Sequence, residues 1–246
     1  MARWLAGLLL CGSAAAAVAS MEEALAAEAR LDSQGALALL LRLAEAAPDD
    51  PFVLQKIARQ YSDLVVDQPD DSAKRDYAQR ALDYSLRAVA LQPSDPVNVL
   101  SLAISHGKLA LYSDTRTKVR YSRLVKEEAE RALALDPGYA WAHHVLGRWH
   151  YEVAGLGMPA RWLVRLIYGG LPAASTAQAV AHLEKAVALE PQELNHHLEL
   201  GFAYAADGQR ARARAAWEQG LPMPSRGKHD EPAKHRAREA LAQLEP

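Results

Sequence analysis

Five histidines crowd into two short stretches: His143, His144 and His150, then His196 and His197. Imidazole is a common metal ligand and changes charge nearest physiological pH. His143 and His150 stand seven residues apart and so share a face if their stretch is helical. With further donors they could hold zinc; the carboxylates at ligand spacing are Glu152 and Glu199. His143 and His197, however, occupy matching places in two similar segments, where a large packing side chain belongs. Their expected role is packing, and neither a metal nor a cofactor is expected.

Other chemistries lack their residues. There is no Gly-rich phosphate loop after a strand, no Gly-x-Ser-x-Gly and no His-Glu-x-x-His. "GKLALYS" has no preceding glycine at phosphate-loop spacing. The single cysteine, Cys11, lies in an N-terminal apolar run, so disulfides and thiol catalysis downstream are excluded. A formal net charge of −2 lacks the basic excess of a nucleic-acid footprint. Binding, without catalysis, is the expected activity.

The elements that would position these side chains are helices. Alanine and leucine abound and β-branched residues are sparse, which favours helix. Four segments end alike: "LAEAAPDDP", "AVALQPSDP", "ALALDPGYA" and "AVALEPQEL". In each, an amphipathic run meets a proline (Pro48, Pro93, Pro137 and Pro191), and the next helix starts just beyond. From Leu194, the order His197, Leu200-Gly201, Tyr204, Ala213, Trp217, Gly220 and Pro224 matches the tetratricopeptide pattern. That pattern is a two-helix unit of roughly 34 residues. "ADGQ" (206–209) makes its turn, and Leu146-Gly147 repeats the Leu-Gly pair one unit earlier.

Successive prolines stand farther apart than that period, the last two farthest of all. Insertions between the two helices of a unit account for the excess: Val66–Asp76, Ser113–Arg123, and the segment "GLGMPARWLVRLIYGGLP". The expected fold is an all-α, right-handed solenoid of about five tetratricopeptide-type pairs with extended intra-repeat insertions. It forms one domain over residues 21–246, with its last full repeat at about 194–227. A capping helix over about 231–244 carries Ala233, Ala237, Ala240, Leu241 and Leu244, with Asp230 as N-cap and Pro232 in the first turn.

First helices of such units line a groove. Counted from the repeat starts, the inward residues are Gln55 and Arg59; Val97, Leu100 and Ile104; His144, Arg148 and Tyr151; and Leu198 and Phe202. This lining alternates basic and apolar. It suits a protein segment with an acidic side chain, or an anionic amphiphile such as a phospholipid. The third insertion places Trp162, Leu163, Leu166 and Ile167 on one helical arc and Arg161 and Arg165 on the other. A longer turn costs only roughly 2 kcal/mol in closure entropy. Burying its four large side chains could contribute ~6–10 kcal/mol before ordering costs. A helix over 159–168 is therefore expected to turn Trp162, Leu166 and Ile167 to the inner surface near Ile104 and Phe202, as core or as a lid, with Arg161 and Arg165 beside Arg148.

The order of these pieces resembles the regulator of microtubule dynamics family from about Arg59 to Leu244. "HHVLGRWHYEVAGLGMPARWLVRLIYGGLPAASTAQAVAHLEKAVALEP" is similar to that family's Leu-Gly-x-Trp helix, apolar and basic insertion, turn and second helix. "KLALYSDTRTKVRYSRLVKEEAERALALDP" is similar to its preceding unit. The resemblance implies a non-enzymatic protein-interaction scaffold, with microtubules or phospholipid as family-type partners. A lipid or small-amphiphile carrier using the concave groove is the alternative.

Residues 1–20, "MARWLAGLLLCGSAAAAVAS", read as a bacterial-type secretory signal peptide: one arginine, a short apolar run, and small residues at 17–19. The run is short of the ~20 residues that span a bilayer, so an uncleaved anchor is the lesser expectation. Three leucines before Cys11 argue against lipidation. An exported, periplasmic or secreted chain should begin near Ser20 or Met21. Intact mass of the exported form checks this, and a soluble cytoplasmic form retaining Met1 would contradict it.

Overall fold

The computed structural model describes residues 20–244, so the leader and Cys11 lie outside the described residues. Every regular element among them is helical. The first pair is α1 (Met21–Ala29) and α2 (Ser33–Ala46), the second α3 (Pro51–Leu64) and α4 (Asp71–Leu91), and the third α5 (Pro96–Leu111) and α6 (Thr115–Leu135). The fourth pair begins with α7 (Ala140–Ala154), is interrupted by α8 (Met158–Tyr168), and resumes with α9 (Thr176–Leu189). The fifth is α10 (Leu194–Ala206) and α11 (Arg210–Gly220), followed by α12 (Asp230–Leu244). No helix among the described residues is long and apolar enough to cross a membrane.

Aspartate and proline set the starts. Asp50 accepts hydrogen bonds from the Phe52 and Val53 N–H groups, and Asp95 from those of Val97 and Asn98. Pro51 and Pro96 occupy the first turn, where a missing N–H costs nothing. The insertions of the second and third units mostly become helix. α4 and α6 each run 21 residues, against 14 in α3 and 16 in α5. In the fourth unit the added residues make a separate element, α8.

The pairs close through one small residue each. Ten residues after Pro48, Pro93, Pro137 and Pro191 stand Ala58, Ala103, Gly147 and Gly201, all buried. A Cβ at Gly147 would lie 2.5 Å from the Leu183 side chain and 3.0 Å from the Ala179 carbonyl oxygen. A Cβ at Gly201 would overlap the Trp217 indole. That ring is 1% exposed, and its Nε1–H donates to the Leu198 carbonyl at 3.0 Å.

First helices pack side by side in the order α3, α5, α7, α10, α12 and form the inner layer, with second helices outside. α12 covers the last unit: Ala237 is buried in its core, and Ala233, Ala240, Leu241 and Leu244 pack against that core. Asp230 does not cap α12 as expected. Its carboxylate turns back to accept the Arg226 and Gly227 N–H groups, both at 2.7 Å, and the Asn195 amide at 2.8 Å. Three ready donors in the preceding loop and in α10 outcompete the helix N-terminus.

α8 also departs from expectation. Trp162, Leu166 and Ile167 are 64, 66 and 53% exposed and do not face the inner layer near Ile104 and Phe202. Gly169 and Gly170 adopt left-handed backbone, with φ of 77° and 84°. Glycine takes this conformation without steric cost, and here it turns the chain sharply after α8. Arg123 of α6 fastens this turn: its Nε–H donates to the Gly170 carbonyl at 3.0 Å, and its Nη2 donates to the Tyr168 and Gly170 carbonyls. The segment is thus pinned to an outer helix, away from the groove. The side chains of Met158, Pro159, Arg161 and Leu163 lie outside the described residues.

The Gly201–Trp217 contact generates a stability prediction. Gly201→Val should destabilise by more than ~2 kcal/mol, since a branched side chain must displace a packed indole. Chemical denaturation measures it; an unchanged midpoint would show that α10 and α11 are not in close contact.

Candidate functional site

The inner layer presents two registers to its concavity. Eleven residues after each proline stand Arg59, Ile104, Arg148 and Phe202, and four residues after stand Phe52, Val97, Trp141 and Asn195. Phe52, Val97 and Ile104 are 50, 41 and 38% exposed; Arg59 and Arg148 are exposed, and Trp141, Asn195 and Phe202 half-buried. The concave face therefore carries a row alternating Arg, Ile, Arg, Phe, flanked by a second row rich in large apolar groups.

Not every expected lining residue belongs to it. Leu100, His144 and Leu198 are buried, and Gln55, at the same register, is half-buried. All four stand seven residues after their proline. At about 100° per residue, that register lies about 40–60° round the helix from the two exposed rows. This turns the side chains into the seam between neighbouring helices. The apolar lining that favoured a lipid carrier is thereby reduced, because two of its leucines are core. Phe52 and Trp141 were missed, though the proline register that finds Val97 also finds them.

Charges in the groove are paired both within helices and across units. Arg59 meets Glu28 at 3.1 Å and Asp63 at 4.0 Å, while Lys56 meets Glu28 at 2.9 Å. Arg148 meets Glu152 at 2.7 Å. The Tyr151 hydroxyl donates to Glu199 at 2.6 Å, and Glu199 also pairs with Arg236 of α12. Arg236 lies over the Phe202 ring, 4.5 Å from its centroid. Burial, reinforced by the Glu199 carboxylate, pushes the Tyr151 phenol well above its ordinary range. Across the concavity, Lys228 pairs with Asp67 and His229 Nε2 lies 3.1 Å from Asp63 Oδ1. The loop before α12 thus bridges back to the second unit. Half-buried Lys108 lies near this bridge; burial lowers its pKa, with Arg148 and Lys228 adding to the shift and Asp63 opposing it.

The histidines are structural. His197 donates from Nε2 to the Pro191 carbonyl at 2.9 Å, and His143 from Nε2 to that of Pro137 at 3.2 Å. With that tautomer, His143 Nδ1 accepts from His182 Nδ1–H, 3.0 Å away. Arg87 and Arg131 donate to the carbonyls of Pro48 and Pro93, both at 2.8 Å, so the proline loops share one solution with two donors. His144 and His196 pair through their Nδ1 atoms at 3.0 Å, beneath Trp141. His150 stacks on His182 with ring centroids 5.7 Å apart. Among the described residues, no group of three or more His, Cys, Asp and Glu side chains could hold a metal.

Helix pairs closed on small residues, stacked with their first helices around one groove, define a tetratricopeptide-type helical-repeat protein. A solved structure of a thermophilic TPR protein from Thermus thermophilus superposes with a TM-score of 0.62 at 21% identity, covering 90% of this chain and 94% of that one. MamA from Desulfovibrio magneticus superposes at 0.51 and 17% identity, over 82% of this chain and 91% of that one. Both likenesses concern the fold. The family model of regulator of microtubule dynamics protein 1-3 matches residues 18–245, and the chain belongs to that family. Regulator of microtubule dynamics protein 3 of Xenopus laevis is 30% identical over 143 residues, 58% of this chain and 31% of that protein. The human protein 2 is 23% identical over 197 residues, 80% of this chain and 48% of its own length. The chain spans about half, or less, of these curated relatives.

The buried imidazoles make stability depend on pH. Burial lowers His106 and His182 to about 4, and His144 and His196 to about 3, from 6.5. Between those values the unfolded chain binds more protons than the folded one, so stability is full above about pH 7 and is lost as pH falls toward 4. At pH 5 each such histidine should cost on the order of 1–2 kcal/mol. Urea midpoints at pH 7.5 and 5 check this, and a flat profile would mean that these rings are solvated.

Proposed function

We propose that this chain is a non-enzymatic protein-interaction module whose concave face receives a segment of a partner protein, and that its leader carries it out of the cytoplasm. The observation that supports the binding reading most is the alternating row Arg59, Ile104, Arg148, Phe202. Neighbouring helices stand roughly 8–10 Å apart. A segment lying across them would meet a guanidinium and an apolar surface in turn. It would offer carboxylates to Arg59 and Arg148 and apolar side chains to Ile104 and Phe202. The family name speaks of microtubules, but kinship alone links this chain to them.

A photo-crosslinker at Ile104 should capture a protein partner, whereas one at Glu218 on α11 should not. Ile104→Glu should weaken the purified complex at least about tenfold, as expected for loss of a central contact. Its thermal midpoint should stay near that of the parent, because Ile104 is partly exposed. Equal capture at both positions would overturn the assignment of the groove. Lipid co-purifying with the native protein, as seen by mass spectrometry, would favour the amphiphile carrier instead.

A further inference from the structure

We propose that α8 and the first turns of α6 form a docking surface for an anionic lipid bilayer. This surface lies on the outside of the stack, separate from the concave groove. Trp162, Leu166 and Ile167 project from α8 without a covering element among the described residues. Leu156, just before α8, is 37% exposed. Large apolar side chains left in water at one place mark an interaction surface.

The charge around them is mostly basic. Residues 115–123 contain Arg116, Lys118, Arg120 and Arg123 and no acid; residues 158–168 contain Arg161 and Arg165 and no acid. This concentration stands out in a chain whose formal net charge is −2. The neighbouring acid, Asp114, is occupied as the α6 N-cap by the Thr117 N–H at 3.0 Å and the Thr117 hydroxyl at 2.9 Å. Between the two helices lies a cavity of about 300 Å³ lined by Arg116, Val119, Arg120, Arg123, Ile167 and Tyr168. Guanidinium groups at its wall and an apolar side chain at its lip suit a phosphate headgroup with its acyl chain alongside.

A bilayer fits these features better than a folded partner. A stable protein interface takes roughly 800 Å², about 20–30 residues, from each side, whereas α8 has 11 residues. An amphipathic helix with Trp, Leu and Ile on one arc and arginine on the other is what lies stably in the headgroup region of a membrane. Arginine and lysine around it gain from the negative surface potential of anionic lipid.

Trp162 supplies the readout. Trp149 and Trp217 are buried and Trp141 is half-buried. With Trp4 of the leader replaced by Phe in every sample, a change in environment on docking is reported by Trp162. The full Trp4→Phe chain is mixed with phosphatidylcholine vesicles with or without phosphatidylglycerol, at about 50 mM salt to limit screening. The apolar leader can itself engage vesicles, so differences between variants are the measure rather than bulk sedimentation. Trp162 emission should shift to the blue with the anionic vesicles and be quenched by brominated acyl chains; both changes should vanish in Trp162→Phe. Arg116→Glu with Arg120→Glu should lower partitioning at least about tenfold, and Trp162→Ala with Leu166→Ala should lower it similarly, with melts unchanged. Absence of acyl-chain quenching in the Trp4→Phe parent overturns the proposal, whatever the further variants do to folding. So does equal partitioning of both double variants and the parent. An equal blue shift with soluble polyglutamate would overturn it too, and would assign the surface to an acidic protein instead.

Discussion

Everything in this molecule hangs on how closely two helices of a pair can approach. Ala58, Ala103, Gly147 and Gly201 hold the same register in four successive units, and each leaves room for the second helix to press against the first. In the last unit the space goes to the Trp217 ring, which then ties its nitrogen to the Leu198 carbonyl. The close approach seats each second helix on its first, and the first helices, packed side by side, form the inner layer. The prolines locate the register, because each ends one unit and starts the count for the next. Their freed carbonyls are answered every time, by arginine in two loops and histidine in two.

Much of the fold was legible because these devices are local. Asp-Pro starts, proline stops and the Leu-Gly pair act within a turn or two of their own position, so the solenoid and its capping helix could be read from spacing. The groove was legible in part. Arg59, Ile104, Arg148 and Phe202 keep exposed or half-buried side chains at one register, but Leu100, His144 and Leu198, counted with them, are buried. A few tens of degrees decide between a groove and a seam, and that difference depends on the neighbouring helix. Glu199 and Arg236 had no local mark. They meet only because α12 takes the place of another first helix beside α10.

The fate of α8 shows where an energy argument on one segment stops. Burial of its apolar arc is favourable in isolation, and closure of its loop costs little. Neither consideration knows that Arg123 offers its guanidinium to the carbonyls at the end of the segment, or that two left-handed glycines turn the chain toward it. Hydrogen bonds to Tyr168 and Gly170 fix the placement, and the apolar side chains follow. The arginine-lined cavity beside α6 is a by-product of the same attachment.

The bridge from Lys228 and His229 to Asp67 and Asp63 changes the kind of object this is. A stack of repeats linked only to its neighbours behaves as a one-dimensional chain, free to fray from either end and to breathe like an open spring. A tie between the last loop and the second unit converts the spring into a clasped ring. Loss of the terminal loop then also frees the second unit, a coupling that nearest-neighbour contacts alone do not supply. Stretching of the groove is resisted by an ionic clasp whose strength falls with added salt.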